Sequence, residues 1–169
     1  MWLYKKNSSN TARFILGEKG ERSLICFGIN SSTAEPGKLD RTVSRVYSVA
    51  QKGGFDGWIM LNLYPQRATN FSNVHKSLDE KLHSENLKYI KRVLRDHSKS
   101  TVWAAWGNLI EGRPFLKECL KDILGTVEHR LWVHKGSLTA QGHPRHPLYL
   151  RSDAPFHPFD MNKYLRNSC

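Results

Sequence analysis

The sequence has few cysteines and no long apolar run. Cysteine occurs only at Cys26, Cys119 and Cys169, and no two of these form a Cys-x-x-Cys pair. A zinc or iron–sulfur site built from cysteine is therefore not expected. Nowhere are there about 18 consecutive apolar residues, and residues 1–10 lack the apolar core of a signal peptide. We expect a soluble, cytoplasmic protein that has no membrane partner.

Internal repeats, low-complexity segments and lysine runs are also absent. The 169 residues, of which 39% are hydrophobic, suit one globular domain over residues 1–169. Basic residues outnumber acidic ones by 26 to 15, and they are spread from Lys5 to Arg166. Because this charge is dispersed, it favours a basic face on a folded domain and a polyanionic partner such as nucleic acid. A charge that only aids solubility is the alternative.

Apolar periodicity predicts alternating strands and helices. Two apolar runs joined by the turn-like Glu-Lys-Gly-Glu suggest a hairpin over residues 13–29. The remaining expected strands are residues 57–64, 101–107 and 129–134, and the expected helices are residues 39–54, 84–97, 113–125 and a short one from residue 160. In the first helix, Asp40 is the expected amino-terminal cap.

This alternation predicts an α/β fold, a three-layer sandwich in which a central, mostly parallel four-stranded sheet is flanked by helices. Ligands of such sheets bind outside the carboxyl ends of the strands. The loops that follow the strands are therefore the candidate site, and polar residues gather in them. These loops are residues 30–37, 62–70, 107–114 and 135–150.

Two asparagines lie at predicted strand ends. Asn30 begins a loop of small residues and can position a water molecule, although a simple turn asparagine is the alternative. Asn62 interrupts an apolar strand, where a buried amide without partners costs about 1–3 kcal/mol. Its amide can pair with the edge of a nucleobase, or it can belong to a structural network.

The stretch GHPRHPLYL, residues 142–150, contains two His-Pro pairs. Proline restricts its own backbone and that of the preceding residue, so both histidines are held on a stiff, extended loop. His143 can donate a hydrogen bond to a carbonyl oxygen that gains negative charge, and His146 is a second candidate. Surface histidines are the alternative. We expect no metal site, because no carboxylate or cysteine lies nearby in the sequence.

In this order, these segments resemble motifs of the uracil-DNA glycosylase superfamily. GINSSTA resembles the Gly-Ile-Asn-Pro strand end of its mismatch-specific branch. GWIMLNLYPQRATN resembles the Leu-Leu-Leu-Asn strand end and the following Thr-Val-Arg-Ala of its uracil branch. TVWAAWGNLIEGRP, GHPRHPLYL and APFHPFDMNKYL resemble the Leu-Trp-Gly strand, the His-Pro-Ser-Pro-Leu-Ser motif and the terminal segment of that branch.

At closer range the chain resembles a family of short bacterial and phage proteins that is catalogued only as a domain of unknown function. The shared pieces are an Asn-x-Ser-Thr-Ala loop, an Arg-Ala-Thr after a strand, an Ala-Trp-Gly and a Gly-His-Pro-x-His-Pro-Leu-Tyr. That resemblance names no activity.

The glycosylase resemblance implies a DNA-binding enzyme that needs no cofactor. It would hydrolyse the N-glycosidic bond of a flipped-out uracil, mismatched or modified base. By motif, Asn30 would position water, Asn62 would read the base, and His143 would stabilise the leaving anion. The residues implied to contact DNA are Ser31, Ser32, Arg67, Arg145 and His146, with Leu148 or Tyr149 as the wedge that enters the duplex.

Three departures from the superfamily pattern matter. Asn30 and serines occupy the place of an Asp-Pro-Tyr-His sequence, and no tyrosine matches the one that excludes thymine, so specificity for uracil is not assumed. Arg145 and His146 stand where the superfamily has a single serine, which leaves open whether His143 or His146 faces the pocket. Two alternatives stay open as well: a non-catalytic module for modified or distorted DNA, and an enzyme on free nucleotides. A monomer is expected.

Overall fold

The computed structural model describes residues 1–126 and 130–167. The strands of this part of the chain are β1 (Trp2–Lys6), β2 (Arg13–Glu18), β3 (Ser23–Ser31), β4 (Gly57–Arg67), β5 (Thr101–Ala104), β6 (Trp132–Lys135) and β7 (Phe156–Phe159). The helices are α1 (Arg41–Lys52), α2 (Glu80–Asp96), α3 (Phe115–Gly125) and α4 (Met161–Asn167). None of these helices is long and apolar enough to cross a membrane.

The strands form one mixed sheet with the order β1-β2-β4-β3-β5-β6-β7. The α/β class is confirmed, but the prediction of a four-stranded sheet is wrong. The four central strands, β4, β3, β5 and β6, are parallel, and β1, β2 and β7 add antiparallel strands at the two edges. Strand β1 is largely exposed and β7 contains Pro158, so neither has the apolar pattern that predicts a strand.

The expected hairpin over residues 13–29 is also wrong, because β4 lies between its two strands. Met60 of β4 pairs with Leu16 on one side and with Cys26 on the other. The connection between β2 and β3 crosses the start of β4 so closely that a Cβ at Gly20 would lie 2.6 Å from the Gly57 nitrogen. Local turn residues therefore did not determine strand pairing, which follows from burying β3 between two parallel neighbours.

Helices cover both faces of the sheet. Helix α1 packs on one face through Val43, Val46 and Val49, and helices α2, α3 and α4 pack on the other. The predicted cap is confirmed, since Asp40 accepts a hydrogen bond of 2.9 Å from the Val43 nitrogen. From β3 the chain passes to β4 on one side and later to β5 on the other. This reversal opens a crevice at the carboxyl ends of β3 and β5.

Candidate functional site at the carboxyl ends of the parallel strands

Most of the sequence-predicted residues lie at or just beyond the carboxyl ends of the parallel strands. Asn30 is the second-last residue of β3 and the segment of residues 142–150 follows β6, whereas Asn62 lies in the middle of β4. The loops after β5 and β6 are joined directly, since the Gly107 nitrogen donates a 2.8 Å hydrogen bond to the Pro144 carbonyl. Gly107 has a φ of 66°, and a Cβ there would lie 3.2 Å from Cβ of His146. A glycine therefore allows His146 to approach this loop.

His143 is enclosed by protein, with its side chain 2% exposed. Its Nδ1 lies 2.7 Å from the hydroxyl of Tyr164, which accepts a hydrogen bond from the indole nitrogen of Trp106. Its Nε2 lies 3.0 Å from Oε1 of Glu111, an ion-pair distance, but the ring is not aligned for a hydrogen bond to that oxygen. Burial lowers the pKa of His143, which the nearby Glu111 partly opposes. The neutral ring therefore anchors the start of the 142–150 segment.

His146 has a different environment, because it lines an open cleft of about 610 Å³. Its Nδ1 accepts a 3.3 Å hydrogen bond from the Leu148 nitrogen. Burial lowers the pKa of His146, an effect that the carboxylate of Asp40 partly opposes, so the ring is neutral near pH 7. A neutral imidazole whose Nδ1 accepts a hydrogen bond carries its proton on Nε2. His146 thus presents a neutral N–H donor.

The cleft beside His146 has the size of a small-molecule site. It is lined by Trp106, Gly107, Asn108, Leu109, Thr139, Ala140, Gln141, Arg145, His146 and Tyr149. The amide of Asn108 donates a 2.9 Å hydrogen bond to Gln141, and Arg145 donates to the Ser137 carbonyl at 3.0 Å. The sequence offered no signal for Asn108 and Gln141 beyond their position in the two loops.

Asn62 is buried in the sheet with 1% of its surface exposed, and neither polar atom of its side chain has a hydrogen-bond partner in the described residues. Asn86 of α2 is hydrogen-bonded at 3.0 Å to the Asn62 backbone carbonyl, which leaves the side chain unaffected. On the neighbouring strand, a Cβ at Gly28 would come 3.0 Å from Oδ1 of Asn62. The structural network considered for Asn62 is therefore absent from the described residues.

Asn30 and Ser31 both form hydrogen bonds within the protein. The Asn30 amide nitrogen donates to the carbonyls of Ser31 and Ala68, each at 2.9 Å, and so joins the loops after β3 and β4. The hydroxyl of Ser31 is buried and donates to the Pro65 carbonyl at 2.8 Å. Oδ1 of Asn30 accepts no hydrogen bond from the described residues, which leaves this oxygen for a ligand or a water molecule.

Arg67 lies next to the loop after β3. It donates to the carbonyls of Ser32 and Ala34 and to the hydroxyl of Tyr4. Arg13 of β2, which sequence reasoning missed, is 2% exposed and donates to the same Ala34 carbonyl at 3.0 Å. An arginine at the start of an apolar run is the only sequence signal for Arg13.

The surface outside the cleft is basic and includes exposed apolar side chains. Tyr149 is 79% exposed and Leu148 is 36% exposed. These side chains border the cleft and two surface grooves. The basic residues that line the cleft and the two grooves, which we call the basic rim, are Arg41, Arg45, Lys52 and Arg145. Three of the four lie along α1, where their spacing marks one helical stripe that sequence reasoning missed.

Comparison with known proteins yields one family. The sequence profile described as "Protein of unknown function (DUF1643)" matches residues 13–148, a span that contains Asn30, Asn62, His143 and His146. No curated protein and no solved structure matches the chain significantly. Among residues 1–126 and 130–167, no group of three His, Cys, Asp or Glu side chains is placed to hold a metal ion.

Proposed function

The chain belongs to the DUF1643 family, and we propose that it is a DNA glycosylase related to the uracil-DNA glycosylase superfamily. In the proposed reaction, the bond between the sugar and a flipped-out base breaks, and the base leaves with the bonding electrons. Water then supplies a hydroxyl group to the sugar carbon, and its remaining proton neutralises the base. The observation that carries the proposal is His146, a neutral N–H donor in a cleft large enough for a base, beside an exposed, basic surface.

His146 suits stabilisation of the leaving base better than His143 does. Negative charge develops on a carbonyl oxygen of the base, and a preorganised N–H donor stabilises that charge in the transition state. The Nε2–H of His146 needs no change of protonation near neutral pH, since burial lowers its pKa. His143 is enclosed between Tyr164 and Glu111, and in this proposal it is a positioning residue for the loop.

Asn62 and Asn30 support the same reaction through polar atoms that the protein leaves unpaired. The two side-chain atoms of Asn62 offer an acceptor and a donor, the pair that a base edge requires for bidentate recognition. Oδ1 of Asn30 can accept a hydrogen bond from the attacking water, while its amide nitrogen holds the loops in place. We propose these roles for both asparagines.

The outer surface is suited to DNA. The basic rim would contact phosphates, and Tyr149 would enter the duplex at the position of the flipped base. Ser32 lies on this edge of the sheet and is only partly buried, whereas Ser31 is buried. We therefore assign DNA contact to Ser32, Arg145, Leu148 and Tyr149, and a structural hydrogen bond to Ser31.

The test is release of base from oligonucleotides that contain uracil, a mismatch or a hypermodified base, detected as alkali-labile abasic sites. We expect release by the wild-type protein and a loss of about 100- to 1000-fold in His146→Ala, the cost of removing one oxyanion donor. His157→Ala, at an exposed histidine of β7, is the matched control and should keep wild-type activity.

The absence of release from every substrate would contradict the proposal. Saturable DNA binding that depends steeply on salt, without release, would instead identify a module for modified or distorted DNA. Weak binding that does not respond to salt would favour an enzyme on free nucleotides.

A further inference from the structure

Two arginine side chains converge beneath the loop of residues 32–38, which we call the β3 loop. Nη1 of Arg13 donates to the Ala34 carbonyl at 3.0 Å, and Nη1 of Arg67 approaches the same oxygen at 3.4 Å. Arg67 also donates to the Ser32 carbonyl. Two positive charges therefore share one neutral carbonyl acceptor.

No carboxylate within the described residues contacts this arginine pair, although Asp40 acts on Arg13 from a greater distance. Neither guanidinium forms an ion pair with a carboxylate of residues 1–126 and 130–167. The Nε atoms of Arg13 and Arg67 are both buried, and neither has a hydrogen-bond partner there. The pKa of Arg13 is lowered to about 10, chiefly by burial and also by the positive charge of Arg67, while Asp40 and Tyr4 oppose the shift.

This arrangement is costly unless a ligand completes it. Arginine is rarely fully buried without a charged partner, because desolvation of the guanidinium is not offset by neutral acceptors. The rest of the pair is already ordered, since Nη2 of Arg67 donates to the Tyr4 hydroxyl at 2.9 Å. The missing component is an anion with several acceptor oxygens.

We infer that Arg13 and Arg67 form a binding site for a phosphate group of the nucleotide substrate, whose oxygens replace the Ser32 and Ala34 carbonyls. Guanidinium groups match phosphate in geometry and donate to it in pairs. Arg67 is only half-buried, and the neighbouring Thr33 is exposed, so a ligand reaches the pair from this side.

The position of the arginine pair fits a nucleotide whose base reaches Asn62. In the sheet, Ser31 of β3 pairs with Arg67 of β4, and Gly28 pairs with Asn62 further along the same two strands. Asp40 acts electrostatically on both Arg13 and His146, so the arginine pair and the cleft both lie near the start of α1. The link to a nucleotide rests on the proposed function, whereas the anion site itself does not.

Binding of inorganic phosphate tests the inference, by calorimetry and by the thermal midpoint at constant ionic strength with chloride as the reference anion. We expect saturable binding by the wild-type protein and a loss of at least about 10-fold in affinity for Arg67→Gln and Arg13→Gln, one strong charge-assisted contact each. Arg67→Lys keeps the charge but not the paired donors, and we expect an intermediate affinity. Since Arg13 is buried, Arg67→Lys and Arg67→Gln keep the test decisive if Arg13→Gln does not fold.

Arg130→Gln is the matched control. Its guanidinium also donates to backbone carbonyls, those of Leu94, His97 and Ser100, but no second arginine shares them. This variant should bind phosphate as the wild-type protein does. Equal thermal midpoints of the wild-type protein in phosphate and chloride would overturn the inference, as would wild-type phosphate affinity in Arg67→Gln.

Competition identifies the source of the phosphate. Displacement of inorganic phosphate by thymidine 5′-monophosphate, but not by thymidine, supports a free nucleotide, and displacement by an oligonucleotide alone supports the DNA backbone. Displacement by neither contradicts the inference. Base release is measured on the same preparations, so release without phosphate binding refutes only the arginine site. Phosphate binding without release refutes only the glycosylase.

Discussion

The unpaired side chain of Asn62 makes a prediction in which stability and function change in opposite directions. Replacing Asn62 with leucine removes two buried polar atoms that have no partner in the described residues. An unsatisfied buried amide costs about 1–3 kcal/mol, so Asn62→Leu should raise the free energy of unfolding by about that amount. For a domain of this size that corresponds to a rise of about 2–12 °C in the thermal midpoint. Base release should be lost, since the base edge then faces two methyl groups.

Asn86→Leu is the comparison variant, because Asn86 is equally buried and its amide nitrogen has partners, whereas its Oδ1 has none in the described residues. Asn86 donates to the carbonyls of Asn62 and Leu63 at 3.0 and 3.4 Å. Its replacement removes one unpaired oxygen but leaves those two acceptors without their donor, so Asn86→Leu should have a free energy of unfolding about 1–3 kcal/mol below that of Asn62→Leu. Urea titrations of both variants measure this difference.

The size of leucine is the main complication, because Met60 lies next to Asn62 on the same face of the sheet. Asn62→Val is smaller and repeats the test without crowding. If Asn62→Leu and Asn62→Val are both less stable than the wild-type protein, then Asn62 is a satisfied structural residue and the base-reading role fails.

Three further outcomes follow from the same contacts. Arg45→Gln, in the basic rim, should weaken DNA binding and reduce the slope of log affinity against log salt by about 1. The control Lys88→Gln, on the exposed face of α2, should change neither quantity. Equal slopes in the wild-type protein and both variants would exclude the basic rim from the DNA interface. Tyr164→Phe should lower the free energy of unfolding, measured in urea, by about 1–3 kcal/mol, because the buried indole N–H of Trp106 loses that acceptor. Unchanged stability would show that this hydrogen bond contributes nothing. The pKa of His143 is lowered in the folded protein from its ordinary 6.5, so the unfolded chain binds more protons and the stability should fall as the pH drops below 6.5. In thermal scans, His143→Gln should flatten this dependence of stability on pH. An unchanged pH profile would contradict a neutral His143 ring.

Much of the central fold could be predicted from local patterns. The apolar runs of β3, β4 and β5 are continuous because both faces of a parallel strand are buried. Helix α1 begins one residue after its predicted cap Asp40, since capping depends on neighbours within one turn. Other boundaries moved: α2 begins at Glu80 rather than at residue 84, and β5 ends at Ala104, before Trp106 and Gly107 leave the sheet. Residue 129 of the predicted strand 129–134 lies outside the described residues.

The edge strands and their pairing could not be predicted in this way. Strand β1 pairs with β2, and strand β7 pairs with β6, through backbone hydrogen bonds. A half-exposed edge strand can form such hydrogen bonds without an apolar sequence pattern. The insertion of β4 between β2 and β3 depends on contacts between segments that are distant in the chain. A turn of four residues carries no information about them.

By itself, the sequence determined the α/β class, the loops that gather at one edge of the sheet and the presence there of Asn30, Asn62 and two histidines. Only the tertiary structure distinguished His143 from His146. Both precede proline and have similar local restraints, but Tyr164 and Glu111 enclose one ring, while the cleft beside Gly107 exposes the other. The pairing of Arg13 with Arg67 was likewise decided by folding, because the surroundings that bury or expose a side chain come from other strands and helices.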